Sequence, residues 1–490
     1  MNRTHLWAIG FAAICGLIGF SLNSRPVGKS PAFAAPDQGS TASLIQQADD
    51  MATKHDFAGA IPLYNEALRR EPGNNVVRLN FASVLAAAGK YEEAVAEYSQ
   101  VIQQQPDNYD ARYQRAKLFY QGNRATEAIA DLSEVVRAKP EMRSARKDLG
   151  IVYMQTGRLM EASSLYGDSV RLWPDDADVH NDYGVVLTRL DDVTSAMASF
   201  QKAVDLNPKH VDAQYNLGLA FMNQWSLDDA SAHLHAALEV NPKYADAHYN
   251  LGRVLLRQGK PEEAIERYKK VLELKGAGAD LFYNMGMALA SLGREKEAIS
   301  RFSEALRHNP NHADSHYELG KAMLRYGSVA LAIPQFRAAI KEHPTDVDAI
   351  RQLAVALSHT GKTREAIARY RDVLQLRPNY TDAMNGLAWI LATTPDGKLR
   401  DPAAALKLAQ DVSAQQQMQT PLYLDTLATA QAAAGQFEQA IQTEQSALAA
   451  AAILKNPDFQ AKLQVRLKLF QENKPYLDAS SDPASQPAAH

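Results

Sequence analysis

Small and apolar residues return along this chain with a period of thirty-four. Let each unit be counted from 1, with units beginning at 41, 75, 109, 143, 177, 211, 245, 279, 313 and 347. Position 8 is then always small: Ala48, Ala82, Ala116, Gly150, Gly184, Gly218, Gly252, Gly286, Gly320, Ala354. Position 20 is always alanine, from Ala60 to Ala366. Position 24 is aromatic except at Leu132 and Leu234. Positions 4, 7, 8 and 11 follow helical spacing and predict one packing stripe on a first helix. Positions 20, 24 and 27 predict another on a second. Small residues at 8 and 20 let the backbones approach, and the large side chain at 24 fills the space beside them.

The breaks between helices follow the same period. Gly89, Gly122, Gly157, Gly259, Gly293, Gly327 and Gly361 stand near position 15, where a left-handed residue would end the first helix. Proline at position 32 (Pro72, Pro106, Pro140, Pro174, Pro208, Pro242, Pro310, Pro344, Pro378) ends the second. A fixed period of this length marks a stacked-repeat architecture rather than several globular domains.

Segments such as Tyr215-Asn216-Leu217-Gly218 and Tyr249-Asn250-Leu251-Gly252 resemble the tetratricopeptide repeat family. The resemblance covers roughly residues 41 to 452. It departs from the family pattern in lacking tryptophan at position 4 and in carrying Gly276-Ala277-Gly278 where a proline is due. It implies an all-α, right-handed superhelical solenoid of about twelve helix-turn-helix repeats. An eleventh unit starts at 381 and carries an insertion around Thr394-Pro395-Asp396-Gly397; a twelfth starts near 421. The segment 453–478 is expected to cap the last repeat, with Phe459, Leu463, Leu467 and Phe470 on one helical face. The Pro/Ser/Ala-rich tail 479–490 is expected to be disordered.

The N-terminus bears on location. Arg3 precedes an uncharged apolar run from Leu6 to Leu22, and Ala32-Phe33-Ala34 supplies a cleavage motif, the layout of a signal peptide. The expectation is export to a periplasmic or extracellular location, with residues 1–34 as signal and 35–40 as linker. The alternative is an uncleaved anchor in the inner membrane through residues 6–22. Cleavage would remove Arg3, Arg25 and Lys29 and no acid, taking the net charge from −4 to −7. It would also remove Cys15, the sole cysteine.

Chemistry of a catalytic kind finds little support. A mature chain without cysteine has no thiol chemistry, and no Walker loop, G-x-S-x-G or H-E-x-x-H motif occurs. Gly276-Ala277-Gly278 follows a helix and reads as a turn between repeats. His308, His312 and His316 have metal-ligand spacing, but Asn309-Pro310 breaks the helix between them. His180, His248 and His316 share position 4 and read as packing residues, and His233 and His235 face different sides of one helix. No metal and no cofactor is expected. The acidic net charge and the lack of a basic stripe argue against nucleic acid.

The informative surface is the first-helix face opposite the packing stripe, positions 2, 6, 9 and 13. In proteins that this chain resembles, that face lines a concave groove. Position 6 carries Asn216, Asn250 and Asn284 in three successive units, a ladder of amides able to grip an extended backbone. It resembles the asparagine ladder in the repeats of O-linked N-acetylglucosamine transferases; nothing here resembles their catalytic domain. Position 2 carries aspartate in most units, Asp212, Asp246 and Asp280 beside the ladder. The helix dipole accounts for an acid there. Chaperone-binding repeats of the family clamp a carboxylate with lysine at position 2, so aspartate argues against such a clamp. Arg253, Arg257, Lys321 and Arg325 supply cations at positions 9 and 13. The function expected is a non-catalytic adaptor for a protein or peptide partner of mixed charge. The alternative is an accessory subunit that presents substrate to a glycosyltransferase or envelope-polysaccharide machine, for which the ladder and the segments Leu387-Ala388-Trp389 and Tyr423-Leu424-Asp425-Thr426-Leu427-Ala428 are the motive.

Overall fold

The structure, a computed structural model, describes residues 40–415, 420–453 and 456–478. The leader and the C-terminal tail expected from the sequence lie outside these residues. The described residues form twenty-five α-helices and no strand. Each first helix of the regular repeats occupies positions 1 to 13, as in Thr41–Thr53, Val211–Asn223 and Val347–His359. The second helices run from position 17 to 30, as in Phe57–Arg70 and Thr363–Leu376; Pro261–Lys275 runs one residue longer. The eleventh repeat pairs Thr381–Thr393 with Pro402–Gln415, the twelfth pairs Pro421–Ala433 with Phe437–Ile453, and Pro457–Gln471 follows. The chain is thus an all-α solenoid of consecutive helix pairs. Among the described residues no helix is long and apolar enough to cross a membrane.

Packing within each pair explains the period. A Cβ built on Gly252 would stand 2.5 Å from the ring of Tyr268, and on Gly286 or Gly320 it would stand 2.6 Å from Phe302 or Phe336. Those rings are fully buried. Position 8 is therefore small because position 24 is large, and the two are set by one space. The turns follow the sequence with one exception. Gly89, Gly157, Gly259, Gly293, Gly327 and Gly361 have φ between 70° and 86°. Gly122 does not; its neighbour Asn123 takes the left-handed conformation instead, at φ 58°.

Two compact units divide the chain, Met1–Ala247 and His248–His490. Neither has a single core. In the first, one cluster joins Ala48 through Leu118 and smaller ones follow around Leu149 and Phe200. In the second, Phe302 anchors one cluster, and the largest runs from Ala332 to Ala430. The eleventh repeat's insertion is closed by Asp401 N–H donating to Leu391 O at 3.0 Å. Beyond the last helix the chain turns back: Tyr476 packs on Trp389 and Asp478 N–H donates to Thr393 O at 2.9 Å. Of the expected capping stripe, Leu463 and Phe470 are buried, and the third buried residue of that helix is Arg466.

Candidate peptide-binding face

Position 4, expected as part of the apolar stripe, is where the fold departs most from its sequence pattern. Arg78, Arg146, His180, Gln214 and His316 place a side-chain nitrogen on the carbonyl oxygen of the preceding proline, Pro72, Pro140, Pro174, Pro208 and Pro310, at 2.7 to 3.0 Å. Arg112 does the same to Pro106 at 3.2 Å. A carbonyl just beyond a helix end has no partner within the helix. Position 4 supplies it, which explains why arginine, histidine and glutamine replace one another there. His180 and His316 are thereby occupied in structure. Among the described residues no group of three His, Cys, Asp or Glu could hold a metal ion.

Four aspartates of position 2 meet a residue at the junction with the next repeat. His210 Nε2 lies 3.0 Å from Asp178 and His312 Nε2 lies 3.2 Å from Asp280. Tyr380 donates to Asp348 at 2.6 Å and Tyr423 to Asp382 at 3.0 Å. Both histidines also cap a helix, since Nδ1 accepts from Ala213 N–H and Ser315 N–H. Each neutral ring therefore carries its proton on Nε2. The bond from His312 holds the Asp280 carboxyl below the usual carboxylate range. Asp212 is exposed and Asp246 half-buried.

The amides of position 6 meet position 5 of the preceding repeat. In the first unit Asn216 Nδ2 donates to Asn181 Oδ1 at 3.0 Å, and Tyr113 O–H donates to Asp148 at 2.7 Å. In the second unit Asn284 Nδ2 donates to the Tyr249 hydroxyl at 2.9 Å and to Asp280 O at 2.8 Å. Asn250 is 2% exposed and accepts from Arg253 at 3.1 Å. The ladder thus ties repeats together, and Asn216 and Asn284 keep a half-buried edge towards solvent.

The cations are also held. Arg253 lies over the Tyr249 ring and Lys321 over the Tyr317 ring, at 6.0 and 4.9 Å. Lys321 also pairs with Glu318 at 2.9 Å. Arg325 forks onto Glu295 of the preceding repeat, with its second nitrogen at 3.1 Å. Arg257 is exposed at the end of its helix. The ten residues picked out by the sequence all stand on first helices. They are spread over successive repeats, Asn216, Asp212 and Asp246 in the first unit and the others in the second. The reading missed the tyrosines of position 5. Tyr249, Tyr283 and Tyr317 stand half-buried in three successive repeats of the second unit. Their regular spacing was visible, but tyrosine before asparagine reads as family consensus.

In the first unit the same face is acidic. Asp148 is raised above the usual carboxylate range by burial, and burial pushes Asp182 up to about 6. Lys147 stands 3.8 Å from Asp182, whose side chain is 22% exposed. A raised folded pKa means that the folded state binds a proton more tightly than the unfolded one. Stability is then lost as pH rises through the window from 3.8 to about 6. Asp182→Asn is expected to stabilise the chain by about 1–2 kcal/mol at pH 7, the full shift being reduced by the residual exposure and by Lys147. Urea unfolding at pH 7 and pH 4 checks it: the gain disappears at pH 4.

Arrays of helix pairs with a polar first-helix face define a class of repeat proteins that act through binding. Models of the tetratricopeptide repeat match residues 147–211, 187–234, 215–279, 283–347 and 351–398, and a second model matches 52–118 and 85–130. These matches cover more than half of the chain, which belongs to the tetratricopeptide repeat family. It is a protein–protein interaction scaffold of that family. No curated protein matches it. Among solved structures it is similar to YrrB, described as a TPR protein with an unusual peptide-binding site, at 24% identity over 38% of this chain and 95% of that one, with a TM-score of 0.34. It is also similar to the MamA protein, at 26% identity over 35% and 93%, with a TM-score of 0.32. The Cut9–Hcn1 tetramer of the APC/C aligns at 13% identity over 80% and 90%, with a TM-score of 0.40.

Proposed function

We propose that the scaffold is non-catalytic and takes an extended partner segment of mixed charge along the first-helix face of repeats seven to nine. One observation carries this reading: the polar side chains of that face are held in place before any partner arrives. Tyr249 accepts from Asn284, Arg253 bonds Asn250 and lies over Tyr249, and Lys321 lies over Tyr317. Side chains already ordered lose less entropy on binding. Tyrosine and arginine are the residues that anchor interfaces most often. The aspartates at position 2 give the same face an acidic border, so a segment with both charges fits it better than a uniformly charged one.

The asparagines also bond between repeats, so replacing them would disturb stability together with binding. The cations separate the two. A photo-crosslinking residue placed at Tyr283 is expected to capture the partner in the native cell, whereas the same residue at the exposed Lys270 of the second helix is not. Arg253→Ala combined with Lys321→Ala is expected to lower capture at least tenfold, with helical content unchanged by circular dichroism. Equal capture from both positions, or capture indifferent to the double variant, refutes this site. Export through residues 1–34 forms part of the proposal. The N-terminal residue of the native protein tests it: a start at Ala35 supports export, and a start at Met1 supports the anchor.

A further inference from the structure

Position 13 of the first helix is exposed in every regular repeat, from Thr53 to His359. In the eleventh it is buried: Thr393 is 2% exposed. The C-terminal end of the chain lies there. The last helix, Pro457–Gln471, ends in the same turn that joins the two helices of a repeat. Asn473 is left-handed at φ 56°, and Lys474 N–H donates to Leu469 O at 2.9 Å, as Lys90 N–H does to Leu85 O. Among the described residues no second helix follows. Instead a strap, Lys474 to Asp478, runs without regular secondary structure to the first helix of repeat eleven. There Asp478 N–H donates to Thr393 O at 2.9 Å.

Positions 9 and 13 belong to the first-helix face, and the strap meets both. Trp389 is position 9 of the eleventh repeat. The Tyr476 ring tilts against it at 46°, with the centres 5.9 Å apart. The Arg466 guanidinium lies 5.3 Å from the centre of each ring. Tyr476 thus sits in a slot with one aromatic wall and one cationic wall. Neither wall depends on the strap. Trp389 belongs to the helix Thr381–Thr393, and Asp425 holds Arg466 at 2.7 Å. The strap itself is lightly covered: Tyr476 is half-buried, and Lys474, Pro475 and Leu477 are exposed. A segment this exposed opens locally at a small fraction of the cost of global unfolding.

We propose that this slot is a subsite for an aromatic side chain on an extended segment of a partner protein, and that Tyr476 fills it in cis until such a segment displaces it. Nothing in the contact requires the ring to belong to the same chain. Any aromatic ring offers a π-face to the guanidinium and packs on the indole. A main-chain N–H two residues further on meets Thr393 O, one of the carbonyls that a helix end leaves without a partner inside the helix. An aliphatic side chain would lose the guanidinium contact, and a cationic one would meet Arg466 with like charge. The slot therefore selects aromatic segments over aliphatic or basic ones. Tied to the last helix by a short link, the strap has a high effective concentration. It excludes weak ligands and yields to a segment that gains further contacts along the first-helix face. The slot lies at repeat eleven, outside repeats seven to nine, so its test is independent of the site proposed above.

The probe is the fluorescein-labelled peptide Lys-Pro-Tyr-Leu-Asp, titrated with the full chain by anisotropy, with Lys-Pro-Ala-Leu-Asp as control. Tyr476→Ala with Asp478→Pro empties the slot and removes the main-chain donor to Thr393. This released chain is expected to bind the tyrosine peptide at least tenfold more tightly than wild type and to leave the alanine peptide unbound. Adding Trp389→Leu, which keeps an apolar side chain but no ring, is expected to remove the gain. Tyr476→Phe is expected to keep the slot closed, with binding as weak as in wild type. Hydrogen exchange across 421–471 is expected to be the same in the released chain and in wild type, because Leu463, Arg466 and Phe470 still hold the last helix. Equal binding by wild type and the released chain overturns the proposal. A gain that survives Trp389→Leu, or that the alanine peptide shares, overturns it too. Protection lost across 421–471 in the released chain would make the strap a part of the cap rather than a ligand of the groove, and would overturn it as well.

Discussion

Arg466→Leu is expected to detach the end of the solenoid. Arg466 lies 5% exposed between Asp425 at 1% and Glu444 at 0%. Its Nε stands 2.7 Å from Asp425 Oδ1 and its second nitrogen donates to Asp425 Oδ2 at 2.8 Å. Glu444 is 3.6 Å away, and its two oxygens have no hydrogen-bond partner. The guanidinium also lies 5.3 Å from the centres of the Trp389 and Tyr476 rings. One cation thus holds the last three helices, the eleventh repeat and the returning tail. Burial raises both acids, and the charge of Asp425 raises Glu444 further. Glu444 is therefore protonated at neutral pH. Removing one partner of a buried pair costs about 3–5 kcal/mol, because the other charge stays buried. Repeats touch only their neighbours, so the loss falls on the end rather than on the whole array. Hydrogen exchange should show residues 421–471 losing protection while repeats nearer the N-terminus keep theirs. Protection unchanged across 421–471 would show that apolar contacts alone hold the cap. Glu444→Gln serves as control. A raised folded pKa means that stability is lost as pH climbs through it. The amide should match wild type near pH 4, where both states of the acid are protonated, and exceed it at pH 7 and above, because the loss begins at the ordinary carboxylate value.

Phe302→Ala is expected to cost about 3–5 kcal/mol, since a fully buried ring leaves a cavity that its neighbours cannot fill. The reverse change at its partner is nearly as informative. Gly286→Ala puts a Cβ 2.6 Å from the Phe302 ring, and moving either helix to relieve it costs about 1–3 kcal/mol. Repeat three already shows the compatible pair, Ala116 with Leu132, both buried. Gly286→Ala with Phe302→Leu is therefore expected to recover more than half of the single-site loss. Urea denaturation of the two single variants and the double gives the coupling energy. Additive losses would mean that positions 8 and 24 do not share one space.

The helix pairs were legible in the sequence because their causes are local and repeat. Alanine at position 20 and the small residue at position 8 return at every unit and the turn glycines at most of them, so each supports the reading of the others. Position 4 was less legible. Arg146 and His180 look unlike each other and unlike an apolar stripe until the carbonyl of the preceding proline is placed beside them. The asparagine ladder was visible as a row, but its bonds to Asn181 and Tyr249 run to residues thirty-five positions earlier. Arg466 was hidden for the same reason. It sits in an amphipathic helix among lysines, and only Asp425 and Glu444, on other helices, distinguish it.

What the sequence determined by itself is the repeat, its helices and their order, because helical period, small-residue placement and turn chemistry act within a few residues of one another. What only the tertiary structure decided is where polar side chains spend their hydrogen bonds. A donor at position 4, 5 or 6 is satisfied by a group one repeat away, and a buried guanidinium by acids on two other helices. Burial makes those partners obligatory, and burial exists only once the helices have packed.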